Sequence, residues 1–382
     1  MKNKRILIVA NTTWNIYKFR LNVIQKFLQN DNEVFVAAPV DEYLFYKQKL
    51  ETVTHLDVKR LKRDHTHPIN DLLSIFELRK IYKSIDPDLI IHYTHKANLY
   101  GGIAAWLSNK KSVAVVTGLG YAFLHNGYIN TITKFLYRVV KGVHRKLIFE
   151  NEDDMNHFVD SGFVHKKNAA FVNGCGVDVN DYKPTSEQEI KNRDSKVFVF
   201  TFIGRLLKDK GIVEFLKAAD RLKSQRRDDV AFHIIGEFDE GNPSMVEKDY
   251  LQKLIDLGTV EYLAFAKDIK PEISKSSCIV LPSYREGMPR VILEALSMAK
   301  PVITTDVPGC RQTVDDGVNG FLVKERNVES LILGMQKMLT LNDQELLKMG
   351  QNGREMAVKC FNSEKISSEL YEIVSQVYFC AK

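Results

Sequence analysis

The chain has 382 residues, more than one hydrophobic core usually supports, so its length predicts two domains. A composition of 45% hydrophobic and 27% charged residues is ordinary for a globular protein, and no apolar run approaches the ~18 residues of a membrane-spanning helix. The net charge of +6 is uneven, since residues 1–183 carry +8 and the remainder −2. A basic first half indicates either an anionic partner or simply a solvated surface.

The N-terminus and the cysteines predict a cytoplasmic protein. Only residues 6–10 form an apolar run near the N-terminus, which is shorter than the ~7–15 residues of a signal-peptide core. The five cysteines are scattered and contain no C-x₂-C pair, so we expect reduced thiols with neither a zinc site nor a disulfide framework. They are Cys175, Cys278, Cys310, Cys360 and Cys380.

The first half alternates predicted strands with predicted helices. This alternation is typical of a parallel, doubly wound sheet, whose ligands bind beyond the carboxyl ends of the strands. His92 falls within a strand and is therefore predicted to be packed inside. The strands are predicted at 5–10, 33–38, 89–93 and 113–117, and the helices at 18–29, 70–85 and 97–108.

Residues 131–146 have the pattern of an amphipathic helix. At 100° per residue the cations Lys134, Lys141 and Arg145 lie largely off its apolar stripe. Two interpretations remain open: a core-facing helix with a basic solvated side, or a membrane-facing surface that attracts anionic lipid. The stripe consists of Ile132, Phe135, Leu136, Val139 and Val143.

The second half repeats the alternation of strands and helices. The polar run 185–196 has the composition of a linker. We therefore predict two Rossmann-like α/β domains, at 1–183 and 184–362. The strands of the second are predicted at 197–203, 232–235, 260–263, 278–281 and 302–304.

A basic loop follows the strand predicted at 197–203. Gly204 allows the backbone to approach a ligand closely, and Arg205 offers a planar fork for phosphate oxygens. Lys210 adds a point charge where the next helix begins. Two cations at a strand end can neutralise a departing diphosphate, although an ordinary basic loop would have the same composition.

Two glutamates flank the helix predicted after the strand at 278–281. Pro289 suits the first helical position, because its fixed φ and missing N–H are harmless there. Glu286 then lies in the loop at the carboxyl end of the strand, and Glu294 lies on the helix, roughly 7 Å beyond Pro289 along the axis. With a diphosphate on the free N–H groups of the helix, each carboxylate can hold sugar hydroxyls. This layout suits a nucleotide-sugar, and the alternative is an ordinary pair of surface glutamates.

Together these motifs resemble the retaining glycosyltransferases of family 4, which have the GT-B fold of two Rossmann-like domains facing across a cleft. The resemblance runs from Arg5 to about Val374. It implies that Glu286 contacts the donor sugar, that Glu294 contacts the ribose, and that a C-terminal helix, about 363–382, packs back on the first domain. It implies that the catalytic residues are Glu286, Arg205 and Lys210, and that the donor is bound by Gly204, Glu237, Asp268, Ile269, Gly287, Met288, Pro289 and Glu294.

Narrower matches in the first half resemble bacterial N-acetylhexosaminyltransferases that extend sugars on undecaprenyl diphosphate. His95 and Lys96 are predicted to bind an acceptor phosphate. The chain departs from many family members by having Gly118 where they have a His near the C6 hydroxyl of the donor, and by lacking a glycine-rich loop at 11–17. The predicted acceptor-binding residues are Trp14, Asn15, His95, Lys96, Thr117, Gly118 and Tyr121.

The resemblance implies retaining transfer of an N-acetylhexosamine, with GalNAc favoured, from UDP to a lipid-diphosphate-linked sugar at the inner face of the cell membrane. It leaves open the donor epimer, the linkage and the acceptor sugar. No cofactor and no nucleic-acid partner are expected. The acidic segments 86–88 and 152–154 lie where secondary-structure elements start, so we do not expect them to ligate a metal.

Three alternatives remain. One is a family 4 enzyme with a different donor sugar or a soluble acceptor. Another is a non-catalytic protein that binds anionic lipid, which would explain the basic half but not Arg205, Lys210 and Glu286. The third is a nicotinamide oxidoreductase, which is disfavoured because no G-x-G-x-x-G follows the strand at 5–10.

Overall fold

The chain folds into two compact units, Met1–Cys175 with Ser363–Lys382, and Gly176–Asn362. The boundary predicted between residues 183 and 184 therefore lies within the second unit. The predicted linker 185–196 and the predicted acceptor residue Tyr121 lie outside the residues that the structure describes. This computed structural model describes residues 1–61, 68–120, 123, 127–184, 197–225, 229–264, 266 and 268–379.

The first unit is built on a seven-stranded parallel sheet with the order β3-β2-β1-β4-β5-β6-β7. The order reverses direction at β1 and β4, as in a doubly wound sheet. Strands β3, β6 and β7 were not predicted. The strands are β1 (Arg5–Val9), β2 (Glu33–Ala38), β3 (Thr54–Asp57), β4 (Leu89–Tyr93), β5 (Ser112–Val116), β6 (Lys146–Phe149) and β7 (Ala169–Phe171).

Helices cover both faces of this sheet. Val23 and Phe27 of α2 belong to the core on one face, whereas Leu78 of α3 and Tyr137 of α5 belong to the core clusters of the other. The helix predicted at 18–29 is two helices that meet at Arg20, whose side chain turns inward to Glu150. The helices are α1 (Thr13–Phe19), α2 (Leu21–Gln29), α3 (Pro68–Ile85), α4 (Gly102–Leu107), α5 (Tyr128–Val139) and α6 (Glu152–Asp160).

Two buried histidines fix the position of α4 on the sheet. His92 is fully buried, as predicted, and its Nε2 lies 2.9 Å from the hydroxyl of Tyr82. His144 hydrogen-bonds through Nε2 to the carbonyl of Asn98, at 2.7 Å. A Cβ on Gly101 or Gly102 would lie 2.5 Å from the ring of His92 or His144 respectively. The glycine pair is therefore required because the helix backbone passes directly over two imidazoles.

These histidines make the stability of the first unit depend on pH. Burial lowers the pKa of His144 to about 4 and lowers that of His92 as well. Between pH ~6.5 and ~4 the unfolded chain therefore binds more protons than the folded chain. We predict that the free energy of unfolding falls by about 3 kcal/mol as the pH drops through this window, because His144 must stay neutral. Urea unfolding at several pH values measures this.

A matched pair of variants isolates the contribution of His144. His144→Gln removes one buried titrating group and should reduce the pH dependence, whereas His165→Gln changes an exposed histidine and should leave it as in the parent chain. Equal pH dependence in His144→Gln and the parent would show that acid destabilisation arises elsewhere.

The second unit is built on a six-stranded parallel sheet with the order β10-β9-β8-β11-β12-β13. Five strands fall where they were predicted, within one or two residues, and β13 was not predicted. The strands are β8 (Phe198–Ile203), β9 (Val230–Ile235), β10 (Glu261–Tyr262), β11 (Cys278–Leu281), β12 (Val302–Thr305) and β13 (Gly320–Val323). The helices are α7 (Ile212–Ser224), α8 (Lys248–Asp256), α9 (Lys270–Lys275), α10 (Arg290–Ser297), α11 (Val328–Thr340) and α12 (Asp343–Cys360).

The chain ends with α13 (Ser363–Phe379), which belongs to the first unit. Ile366, Leu370 and Val374 are buried in the same core cluster as α2. The Nδ2 of Asn22 also donates to the hydroxyl of Ser363, at 2.5 Å. The helix thus packs beside α2 on the face that α3–α6 leave free.

The helix predicted at 131–146 is shorter than expected, because α5 ends at Val139 and residues from Lys146 onward form β6. Val143, Lys141 and Arg145 therefore do not belong to it, which corrects the prediction. Ile132, Phe135 and Val139 are exposed, whereas the core contacts come from Tyr137. The core-facing interpretation of the stripe is wrong for these three side chains. In the part of the chain that the structure describes, none of the helices has the length and apolar content to cross a membrane.

Candidate active site

Two loops of the second unit leave the same edge of its sheet side by side. They follow β8 and β11, which are neighbours with Phe200 opposite Cys278. The backbone N–H of Tyr284 donates to the carbonyl of Asp209, at 2.9 Å. Gly211 has φ +76°, and a Cβ there would lie 2.1 Å from the carbonyl oxygen of Pro282. Only glycine fits at this position, and the two loops are consequently held in contact.

Lys210 and Glu286 form an ion pair between these loops. The hydroxyl of Ser283 also donates to Oε1 of Glu286, at 2.7 Å. Both charged side chains are mostly buried. The structure thus brings together two of the three predicted catalytic residues, a cation and a carboxylate, next to the start of α10.

A third loop, after β12, packs against the backbone of Glu286. The backbone N–H of Glu286 donates to the carbonyl of Pro308, at 3.1 Å. Gly309 has φ +83°, and a Cβ there would lie 2.4 Å from the carbonyl oxygen of Glu286. Burial, and to a smaller extent the charge of Glu286, raises the pKa of the neighbouring Cys310 thiol to about 12. Cys310 is therefore an inert neutral thiol that packs behind the loop.

The N-terminus of α10 is open to an anion. In the described residues no side chain caps it, and its first turn contains no acidic residue. Pro289 occupies the capping position, one residue before the position predicted. Gly287, Met288 and Pro289 are buried, and Met288 packs into the core. The N–H groups of the first turn and the positive end of the helix dipole favour phosphate oxygens at this point.

Glu294 lies on α10, as predicted, but only 5% of it is exposed. Its Oε1 accepts from Nε of Arg290, at 2.8 Å. Tyr182 is close enough that the Glu294 charge adds to the effect of burial in raising the pKa of the tyrosine. The carboxylate is therefore held by Arg290 and lies next to Tyr182, largely shielded from solvent.

Arg205, in the loop after β8, packs against the loop after β9, which carries Glu237. Arg205 pairs with the carboxylate of Asp239, and the backbone N–H of Leu206 donates to the carbonyl of Glu237, at 3.0 Å. The backbone at Gly204 is equally close, because a Cβ on Gly236 would lie 1.8 Å from its carbonyl oxygen.

Asp268 and Ile269 lie just before α9. Asp268 is exposed and accepts from the backbone N–H of Lys270, at 3.0 Å, whereas Ile269 packs against the core. Asp268 therefore offers a carboxylate to solvent at this edge, and Ile269 anchors the turn that carries it.

In the first unit, His95 and Lys96 lie just beyond the carboxyl end of β4. The residue before them, Thr94, has φ +77°, a strained conformation of a kind that is common at functional sites. Nδ1 of His95 lies 2.8 Å from the hydroxyl of Tyr137, and burial lowers the pKa of His95. Lys96 forms an ion pair with Asp71 of α3, at 2.8 Å. At this point the unit offers a neutral imidazole and a partly neutralised cation.

Thr117 and Gly118 follow β5 directly, beside His95. Gly118 has φ +99° and Gly120 has φ +58°, and a Cβ on Gly120 would lie 3.9 Å from Nε2 of His95. The glycines thus allow the chain to fold closely around the imidazole. Thr117 is partly buried between β5 and this turn.

The two predicted acceptor residues on α1 differ in their surroundings. Trp14 is exposed and packs edge-on against Phe19. Asn15 is buried, and its Oδ1 accepts from Nε of Arg20, which also pairs with Glu150 at 3.3 Å. Trp14 is therefore accessible to a ligand, whereas Asn15 is held in an internal network.

The acidic segments 86–88 and 152–154 serve local structure. Asp86 pairs with Lys110, and Asp88 accepts from the backbone N–H of Arg5, at 2.9 Å. The segment 152–154 forms the first turn of α6, which Asn151 caps. Across the described ranges, three or more His, Cys, Asp or Glu side chains do not come together in an arrangement that could hold a metal ion.

Both units match known protein families. Residues 5–151 match the family "Glycosyl transferase 4-like", and residues 184–356 match "Glycosyl transferases group 1". The crystal structure of a glycosyltransferase from Rickettsia africae superposes with a TM-score of 0.80 and 17% identity, covering 100% of both chains. This chain belongs to the GT-B glycosyltransferases.

Curated relatives of this glycosyltransferase include enzymes that act on lipid-linked sugars. The N,N'-diacetylbacillosaminyl-diphospho-undecaprenol alpha-1,3-N-acetylgalactosaminyltransferase of Campylobacter jejuni is 29% identical, over 93% of this chain and 94% of the relative. The Staphylococcus aureus capsular polysaccharide biosynthesis glycosyltransferase CapM is 26% identical, over 97% and 96%. The Anabaena protein Alr3699/HepE, solved with UDP and glucose, shares the fold with a TM-score of 0.77 and 20% identity, over 98% and 100%.

In each unit, the predicted site residues have partners that the sequence did not indicate. Asp239 pairs with Arg205, 34 residues away, and Asp71 pairs with Lys96, 25 residues away. No local sequence pattern predicts pairs at these separations. Arg290 could have been found, because it precedes Glu294 by one helical turn. Ser283, three residues before Glu286, lies within the motif but was not assigned a role.

Proposed function

We propose that this glycosyltransferase moves an N-acetylhexosamine, with GalNAc favoured, from UDP to a sugar on undecaprenyl diphosphate, with retention of configuration. The observation that carries the proposal is the Lys210–Glu286 ion pair beside the open N-terminus of α10. A nucleotide-sugar carries a diphosphate and a sugar in series. A site that offers a cation and a helix N-terminus next to a carboxylate matches both parts.

The diphosphate would lie on the N–H groups of α10 with Lys210 and Arg205 around it. Each cation is already paired with a carboxylate, Glu286 and Asp239 respectively. An incoming diphosphate competes for these cations, and it frees Glu286 to accept hydroxyls of the donor sugar. Glu294, one helical turn further along α10, would bind the ribose.

Chemistry at this site would proceed on one face of the donor. As the sugar–phosphate bond lengthens, negative charge grows on the UDP oxygen, and Arg205, Lys210 and the helix dipole stabilise it. The acceptor hydroxyl attacks from the same face, and the departing phosphate oxygen takes its proton. Most of the rate enhancement would come from orientation and charge stabilisation.

The acceptor class is proposed from the relatives together with the first unit. Two relatives, from Campylobacter jejuni and Escherichia coli, have names that specify diphospho-undecaprenol sugars as acceptors. His95 and Lys96 lie at a strand end with Gly118 beside them, which suits an acceptor diphosphate. We propose that the protein works peripherally on the inner face of the cell membrane, and that the basic first half attracts it to anionic lipid.

A panel of donors tests this proposal. UDP-GalNAc, UDP-GlcNAc, UDP-glucose and NAD are offered together with a synthetic lipid-diphosphate-linked sugar. We expect saturable binding of UDP-N-acetylhexosamine, transfer to the lipid acceptor, and no binding of NAD. Transfer of glucose in preference to either N-acetylhexosamine would contradict the proposed donor. Transfer only to a soluble acceptor would contradict the proposed acceptor.

Activity is expected to be independent of metal ions. Two cations and a helix N-terminus would neutralise the leaving diphosphate, so Mg²⁺ has no essential task at this site. Turnover should be unchanged by an excess of EDTA. Loss of activity on chelation, restored by added Mg²⁺ or Mn²⁺, would show that a metal ion takes part.

A further inference from the structure

Helix α3 has apolar side chains on both of its sides. Its inner side packs Ile75, Leu78 and Tyr82 against the sheet. Its outer side carries a second apolar row over the first three turns, with the spacing of a single helical stripe. This apolar face of α3 consists of Ile69, Leu72, Leu73 and Phe76, which are 63%, 57%, 37% and 52% exposed.

An exposed apolar stripe of this kind needs an explanation. A helix on the surface of a globular protein normally turns polar side chains to water. Contiguous apolar patches on a protein surface mark binding sites for proteins, ligands or membranes.

The acidic side chains of α3 are paired with other parts of the unit, whereas lysines of α3 are exposed beside its apolar face. Both acidic residues of the helix are engaged elsewhere: Asp71 pairs with Lys96, and Glu77 accepts from the backbone N–H groups of Lys59 and Arg60, at 3.0 Å each. Lys80 and Lys83 are exposed. At 100° per residue they continue the stripe of Phe76 by one and two turns. An apolar patch followed by lysines complements a surface with an apolar interior and anionic groups above it.

Neighbouring helices on the same side of the first unit also have exposed apolar side chains. Helix α3 packs on α4, where Trp106 and Leu107 are exposed, and α5 lies on the same face of the sheet with Ile132 and Phe135 exposed. In the described residues of the second unit, large exposed apolar side chains such as Leu257 and Leu333 lie on different elements, and Leu347 and Val358 of α12 are about three helical turns apart. The feature therefore belongs to one helical layer of one unit.

The apolar face also lies next to the predicted acceptor phosphate site. Asp71, on the inner side of the same turns, binds Lys96 at 2.8 Å and Tyr100 at 3.3 Å. On one side, the first turns of α3 therefore contact Lys96, which is predicted to bind an acceptor phosphate. On the other side, they present an apolar surface. A lipid diphosphate has the same sequence of parts, a charged head and a hydrocarbon chain.

We propose that the first three turns of α3 insert into the interfacial layer of a bilayer with anionic headgroups, with Lys80 and Lys83 among the headgroups. Helices with an apolar face and a basic edge bind in this way and bury their apolar side chains about 5–10 Å deep. Insertion would present Lys96 at the depth where a lipid-linked diphosphate emerges. That last point rests on the proposed function, whereas the insertion itself does not.

Vesicle binding by the full chain tests the insertion. Leu72→Ser with Phe76→Ser should weaken binding to mixed phosphatidylglycerol–phosphatidylcholine vesicles at least about tenfold, because two apolar side chains leave the bilayer. Leu257→Ser with Leu333→Ser removes equally exposed apolar side chains from the second unit and should bind as the parent does. Lys80→Glu with Lys83→Glu should weaken binding mainly at low salt.

The outcomes separate this inference from the proposed function. Equal vesicle binding by the α3 variant and the parent overturns the insertion, as does a change in oligomeric state that shows the face to be covered by a second copy. If the parent transfers no sugar but the α3 variant still loses vesicle binding, the insertion stands and the proposed function fails. With both correct, the α3 variant loses transfer to an acceptor in vesicles and keeps transfer to a short-chain, water-soluble analogue.

Discussion

Replacing Lys210 with alanine should lower kcat by on the order of 10², equivalent to about 3 kcal/mol of transition-state stabilisation. Negative charge develops on the leaving diphosphate, and a charge-assisted contact to it strengthens as the bond breaks. Arg205→Ala should show a loss of similar size. The two cations lie in the same loop after β8, so removing either one takes away part of the same stabilisation of the leaving group.

Lys208 provides a matched control, because it is an exposed cation in the same short turn as Lys210. Lys208→Ala should keep parental turnover. Arg205→Lys separates charge from geometry, since lysine keeps the charge but lacks the planar fork of arginine. Parental turnover in Lys210→Ala or Arg205→Ala, with folding intact, would show that the leaving group is stabilised elsewhere.

Replacing Glu286, in the loop before α10, should affect a different step from replacing Glu294, on α10. Glu286→Gln should lower turnover strongly and leave UDP binding intact, because UDP lacks the sugar that Glu286 is proposed to hold. Glu294→Ala should weaken UDP binding by on the order of tenfold, because it removes a charged hydrogen-bond acceptor for the ribose. Calorimetric titration with UDP and steady-state kinetics together measure both effects.

Each glutamate change has its own structural control. Ser283→Ala removes the hydrogen bond that orients Glu286 and should give a smaller loss of turnover than Glu286→Gln. Glu294→Gln keeps an acceptor for Arg290 and should weaken UDP less than Glu294→Ala. A titration in which Glu286→Gln abolishes UDP binding while Glu294→Ala leaves it unchanged would reverse the two roles.

The sequence predicted those strands that are continuous apolar runs, because burial on both faces of a parallel sheet demands such runs. It missed β3, β7 and β13, which are short, lie at the edges of the sheets and are only partly buried, and it also missed β6, which has four residues. It extended α5 too far, since the apolar spacing continues to Val143. Gly142 has φ +84°, and the left-handed conformation that glycine tolerates there ends the helical path.

The adjacency of Lys210 and Glu286 could be predicted because parallel strands place their carboxyl ends at one edge of a sheet. The carboxylate partners of Arg205 and Lys96 could not, because pairing across 34 or 25 residues depends on how separate loops and helices pack. The exposure of the α3 face was equally hidden. Its sequence is apolar on two sides, and only the packing shows which of them the sheet covers.

The configuration of the product tests the central claim most directly. The parent chain is incubated with UDP-GalNAc and a synthetic undecaprenyl-diphosphate-linked sugar, and the anomeric coupling of the new linkage is read by NMR. Transfer on one face of the donor predicts an α-linked N-acetylgalactosaminyl product. A β-linked product, or hydrolysis of UDP-GalNAc with no transfer to the lipid-linked sugar, would contradict the account.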